Sequence, residues 1–323
     1  MLLDVKDLSV DIELSGKKYP VITDVSFSIE EGTVLGFVGE SGSGKSITAL
    51  TIMGLLNERF SIKKGEILIN ERDLLKLDSI TRRKMLGCEI AMIFQNPLNA
   101  LNPLLTIYEQ MAEMLLIHNK KLSKKEVEKR VINSLEEVQL PNPEKDMYKY
   151  PHEFSGGQRQ RILIAMAIIN HPKLLIADEA TTALDVTVQY KILRLLKSLC
   201  SKYGTTLIVI SHNLGLIKYM SREVIVMYSG RIVEDGLIDD IIESPSHPYT
   251  KELLSSLPEN AIKGEEIHAI KGRVPSIKEK KANCPFYPRC KYGKDICLKE
   301  PLKAVSVGEN HWAYCLFAGE FNE

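Results

Sequence analysis

The octapeptide GESGSGKS, Gly39 to Ser46, follows the apolar run TVLGFVG and leads into KSITALTIMGLL, whose apolar positions recur at three and four. A strand, a glycine-rich turn and an amphipathic helix in that order form the pattern of a phosphate-binding loop. Glycines allow the backbone around Gly39, Ser41, Gly42, Ser43 and Gly44 to close on a polyphosphate, and the helix start adds partial positive charge. Lys45 is placed to reach the β and γ phosphates, and the Ser46 hydroxyl to ligate magnesium. A chance glycine turn would need neither the strand before it nor the helix after it.

The rest of the chain agrees with an α/β fold. Short apolar runs at 33–39, 89–95, 173–179, 205–211 and 223–230 alternate with helical stretches, and continuous runs of this kind suit strands buried on both faces. VIVMYSGRIVEDG predicts a hairpin turning at Ser229-Gly230. Between about 100 and 165 the strand pattern stops, and TIYEQMAEMLLIHN and SKKEVEKRVINSLEEVQL read as amphipathic helices inserted in the core. At 323 residues the chain exceeds the size of one ordinary core. The expected division is a main domain over 1–245 and a smaller C-terminal extension over 246–323.

Lys and Arg number 42, as do Asp and Glu, so the overall charge gives no reason to expect a nucleic-acid partner. The start MLLDVKDLSVDIELSG carries aspartates where a secretory signal would be basic and then apolar, so the expected location is the cytosol. The densest apolar run, ILIAMAII at 162–169, is too short to cross a bilayer, so any membrane role must pass through partners. In a reducing compartment, clustered thiols are more often metal ligands or catalysts than disulfides. Cys88 and Cys200 stand alone and read as small apolar core residues.

Downstream, LLIADEA places Asp178 and Glu179 at the end of a hydrophobic strand. Two adjacent carboxylates there can divide the work of phosphoryl transfer: Asp178 holds magnesium through water, and Glu179 orients or deprotonates the attacking water. FSGGQRQR, 154–161, has Ser155 and Gln158 at the spacing of a capping box, for a helix running to about Asn170. A plain cap needs neither Gly156 nor Gly157, whereas a helix start that docks a phosphate gains from both. One nucleotide loop with a second phosphate-binding helix start suggests that the second serves another copy's nucleotide.

The ordered set GESGSGKS, IFQNP, FSGGQ, LLIADEA, TALD and ISHN resembles the ATP-binding subunit of ATP-binding cassette transporters. The resemblance implies a P-loop cassette with a RecA-like core, an antiparallel β subdomain and the helical insertion. It also implies that two cassettes meet head to tail with ATP between them. In that arrangement Gln95 contacts magnesium, Ser155, Gly157 and Gln158 meet the nucleotide in trans, Asp185 lies at the dimer seam, and His212 contacts the γ-phosphate in cis. A lone histidine after a strand is more often structural, so the role of His212 rests on the resemblance alone. Phe154 stands where the family's signature usually has Leu, a change that keeps the polarity. Tyr19 is a candidate for stacking on adenine, though a surface tyrosine would read the same way.

The tail narrows the family. SHPYTKELLSSLP, GRVPSI and CPFYPRC, with Cys297 and Cys315, resemble the C-terminal extension of the oligopeptide, dipeptide and nickel importer ATPases. Cys284, Cys290, Cys297 and Cys315 are separated by five, six and seventeen residues, unlike the paired C-x-x-C of zinc ribbons. Four thiolates can close around zinc or an iron–sulfur cluster, and the resemblance implies a [4Fe–4S] cluster. It further implies an ATPase at the cytoplasmic face of the membrane energising import of dipeptides or oligopeptides. Its partners would be a second ATPase, identical or homologous, two transmembrane permeases and, indirectly, an extracytoplasmic binding protein. A nickel importer ATPase, or a soluble cassette ATPase acting on DNA, ribosomes or iron–sulfur assembly, is the alternative.

Overall fold

Twelve strands lie among the described residues of the computed structural model, which comprise 1–95, 100–181, 185–257, 270–279 and 283–321. They are β1 (Leu3–Leu14), β2 (Lys17–Ile29), β3 (Val34–Val38), β4 (Phe60–Ile69), β5 (Arg72–Asp73) and β6 (Ile90–Ile93). Then follow β7 (Leu174–Asp178), β8 (Thr206–Ser211), β9 (Glu223–Tyr228), β10 (Arg231–Leu237), β11 (Val305–Gly308) and β12 (His311–Ala313). The chain divides into two compact units: Met1–Ile29 with Val34–Leu75 and Val209–Glu323, and Glu30–Thr33 with Lys76–Ile208. β8 begins in the second and ends in the first.

In the first unit an antiparallel sheet runs in the order β2-β1-β4-β5. Leu3, Val5, Leu8 and Val10 turn one face of β1 into the core. A register shift between Val5 and Leu8, where Asp7 takes φ 48°, marks a bulge in that strand. The turn at Ser15-Gly16, with φ 51° and 74°, joins Leu14 directly to its partner Lys17. The antiparallel subdomain that the resemblance implied is therefore present. Periodicity did not reveal it, because the bulge interrupts the alternation of β1.

The other strands of this unit follow the order β11-β12-β10-β9-β3. β9 and β3 are parallel, and β9 and β10 form the expected hairpin, with Ser229 at φ 49°, Gly230 at φ 85° and Tyr228 paired to Arg231. The tail supplies two strands, and β12 pairs with β10 through Glu234↔Ala313 and Asp235↔Trp312. Backbone pairing to an existing edge lets a tail with little core of its own become ordered.

In the second unit β6 and β7 pair in parallel, and every residue of β7 is buried. The helical insertion contains helices Ile107–Leu116, Lys124–Glu137, Pro143–Asp146 and Gly156–Ile168. Thr106 with Glu109, and Ser123 with Glu126, form reciprocal capping boxes that start the first two. Ile107, Met111 and Leu115 line the inner face of one, and Val127, Val131 and Leu135 that of the next. Each such side chain contributes about 1.5–3 kcal/mol of burial, which fixes these helices more firmly than propensity does. No helix among the described residues is long and apolar enough to cross a membrane.

Candidate functional site

The phosphate loop lies in the first unit, between β3 and the helix Lys45–Met53. Gly39 takes φ 150°, and a Cβ there would come within 2.2 Å of the Met227 carbonyl oxygen, so no larger residue fits. Gly44, at φ 108°, begins the helix without a side-chain cap, which leaves the first turn's amides directed along the helix start. The Gly230 amide donates to the Ser43 carbonyl at 2.7 Å and ties the loop to the β9–β10 turn. The Lys45 ammonium donates to the carbonyls of Gly39 and Glu40 at 2.7 and 3.0 Å and to Ser43 Oγ at 3.0 Å. Its side chain is buried, Ser41 and Gly42 are exposed, and Ser46 is half-buried. His212 is exposed just beyond β8, and Tyr19 is half-buried on β2 opposite Ile12.

The second unit holds the carboxylates. Asp178, 5% exposed, ends β7, and Glu179 follows it with φ 45°, a left-handed backbone that costs a non-glycine residue about 1 kcal/mol or more. Gln95 Nε2 donates to Glu179 Oε2 at 2.7 Å, so two residues chosen separately from sequence are in direct contact. Asn96 and Pro97 of IFQNP, and Thr182 to Leu184 before Asp185, lie outside the described residues. Asp185 caps the helix Val186–Tyr203 by accepting from the Val188 amide at 3.0 Å.

Ser155 and Gln158 form the expected capping box: Ser155 Oγ accepts from the Gln158 amide at 3.3 Å, and the Ser155 amide donates to Gln158 Oε1 at 3.0 Å. Ser155 is exposed while Phe154 before it is buried, so an apolar anchor seats a helix start that faces outward. Gly157 has a packing reason as well, since a Cβ there would lie 3.3 Å from Val188 Cγ1.

The four tail cysteines line one small, mostly apolar cavity together with Phe286, Tyr292 and Phe317. Burial pushes the Cys284 thiol up, that of Cys290 to about 11 and that of Cys315 to about 12. Backbone amides oppose this: those of Phe286 and Tyr287 bond to Cys284, that of Tyr292 to Cys290 and that of Phe317 to Cys315. Amides aimed at sulfur favour thiolates, the form that ligates metals. Among the described residues, however, no group of three or more His, Cys, Asp or Glu has the arrangement to hold a metal ion. The four thiols share one cavity.

Sequence reasoning missed two polar links. Arg289 of the tail grips Glu40 of the phosphate loop at 2.7 and 3.1 Å. Glu234, fully buried on β10, accepts from the Ser246 and His247 amides at 2.6 and 2.9 Å and faces His311 Nε2 at 2.8 Å. Neither pair is separated by a spacing that a sequence pattern records. A cavity of about 310 Å³ lined in part by Phe27, Leu35, Asp235 and Trp312 contains none of the candidate residues.

The family model described as ABC transporter matches residues 22–182, and the one for the C-terminal region of oligopeptide/dipeptide transporters matches 233–297, ending before Cys315. The oligopeptide transport ATP-binding protein AppD of Bacillus subtilis is 44% identical over 299 residues, 92% of this chain and 90% of that protein. The dipeptide transport ATP-binding protein DppD of Haemophilus influenzae is 43% identical over 307 residues, 95% of this chain and 93% of that protein. Among solved structures, the ATP-binding cassette MJ0796, a dimer bound to ADP and Pi, superposes with a TM-score of 0.66 at 28% identity, covering 73% of this chain and 99% of that one. Similarity of this strength over more than nine-tenths of its length means that the chain belongs to the ABC transporter ATP-binding subunits of the oligopeptide/dipeptide type.

Proposed function

We propose that this protein is the ATP-hydrolysing subunit that energises import of dipeptides or oligopeptides, acting at the cytoplasmic face of the membrane with two permease subunits. The observation that carries the reading is a complete phosphate loop, with Lys45 at a helix start, in a chain whose tail matches the peptide-transporter C-terminal region. Lys45 and the loop amides neutralise the β and γ phosphates, where phosphoryl transfer most needs positive charge. Magnesium supplies further charge neutralisation, and the oxygen donors Ser46, Gln95 and buried Asp178 suit such a hard cation. Glu179 orients the attacking water, its own carboxylate held by Gln95. His212 contacts the γ-phosphate, and Tyr19 stacks on adenine. Ser155, Gly157 and Gln158 serve the nucleotide of the opposing cassette, and Asp185 lies at that seam. The expected result for Lys45→Ala is loss of detectable magnesium-ATP binding by calorimetry in a chain that still unfolds cooperatively. Unchanged affinity would reject the loop as the nucleotide site.

The four cysteines hold a [4Fe–4S] cluster, with zinc as the other metal four thiolates accept. The convergence of all four cysteines on one small cavity supports this donor set. Its role is to cross-link the tail. Protein purified without oxygen should be brown, contain iron and sulfide in equal amounts and bleach on reduction. A colourless protein with stoichiometric zinc would reject the cluster.

A further inference from the structure

We propose that Arg289, from the cysteine-bearing tail, is a positioning residue for the phosphate loop, neutralising Glu40 and holding the loop in the shape that receives a triphosphate. This rests on the reading of that loop as the ATP site. Glu40 is the second residue of GESGSGKS, and every polar group it has is engaged. Its amide donates to Tyr249 Oη at 2.8 Å, its carbonyl accepts from Lys45 at 3.0 Å, and its carboxylate takes both arms of the guanidinium at 2.7 and 3.1 Å.

The Arg289 side chain is 3% exposed, and all five of its N–H donors are used. Nε donates to the Lys271 carbonyl at 2.9 Å, Nη1 also to Tyr228 Oη at 3.2 Å, and Nη2 also to the Ile270 carbonyl at 3.3 Å. Tyr228, Tyr249 and Phe286 pack ring against ring beside it, with centroids 4.6 to 5.5 Å apart. Such a fork is fixed in position, and lysine cannot reproduce it.

The electrostatic need is plain. A carboxylate in an anion-binding loop repels the phosphates the loop exists to bind, unless a cation cancels it. Arg289 does so from between Cys284 and Cys290, two of the cysteines that line the tail's apolar cavity.

The test measures the magnesium-ATP dissociation constant and the melting temperature of the full chain. Arg289→Ala should raise Kd by about tenfold or more, a loss of 1.4 kcal/mol per decade. Adding Glu40→Gln should recover most of that loss, because the uncompensated charge is removed, whereas a merely structural role would leave the double variant no tighter. Arg289→Lys, which keeps the charge and guards against misfolding of the alanine variant, should raise Kd less than Arg289→Ala. Wild-type affinity in both Arg289 variants, or no recovery in the double variant, would overturn the proposal while the ATP site stands. A wild-type chain that binds no magnesium-ATP, or a Lys45→Ala chain that binds it normally, would instead overturn the ATP reading and this proposal with it.

Discussion

Glu179→Gln should bind magnesium-ATP with near wild-type affinity while its turnover falls by about 10²- to 10⁴-fold, the range that a positioned general base contributes. The substitution keeps the shape of the side chain and removes only its ability to take a proton. Its surroundings show why this position matters. Asp178 completes a fully buried strand, and the next residue is forced to φ 45°. Such a backbone persists only where neighbouring structure holds it, and here it sets Glu179 within 2.7 Å of Gln95 Nε2. A glutamine in its place can still accept from Gln95, so the local geometry should survive. Single-turnover hydrolysis with the partner subunits present, measured beside nucleotide binding, separates chemistry from affinity. Turnover within a few-fold of wild type would remove Glu179 from the catalytic role.

The second large effect is on stability. Glu234→Ala should destabilise the chain by about 3–5 kcal/mol, the cost of removing one partner from a buried charged network. Glu234 has no exposed surface, and three donors converge on it: the Ser246 amide, the His247 amide and the His311 ring. Deleting the carboxylate leaves two buried amides without acceptors, each costing about 1–3 kcal/mol. The network joins β10, the start of helix Pro248–Ser255 and β12, so its loss should loosen all three. His247 cannot take over, because burial pushes its pKa down to about 3 and its Nδ1 already accepts from the Tyr249 amide at 3.0 Å. Denaturant midpoints, with hydrogen exchange at Ser246 and His247, measure the effect. An unchanged midpoint would show that these donors find other acceptors.

Local chemistry explains how much was legible beforehand. The five apolar runs became β3, β6, β7, β8 and β9 because a strand buried on both faces must be apolar along its whole length. The Ser229-Gly230 turn was readable because two successive positive φ values demand such residues. The same holds for the Ser155 and Gln158 cap, whose partners are three positions apart. β1 was not readable from periodicity, since its bulge at Asp7 shifts the alternation that marks a strand. β11 and β12 escaped because they are short, and the backbone pairing of β12 to β10, nearly eighty positions earlier, leaves no pattern in composition.

By itself, then, the sequence determined what depends on neighbours along the chain: the glycine loop, the buried strands, the capped helices and the family to which their order belongs. Tertiary structure decided which distant groups meet. Arg289 reaches Glu40 across 249 positions, and Glu234 collects donors up to 77 positions away. The physical reason is that a charge can be buried only where folding delivers its partners, and folding delivers them by proximity in space, which spacing along a chain does not encode.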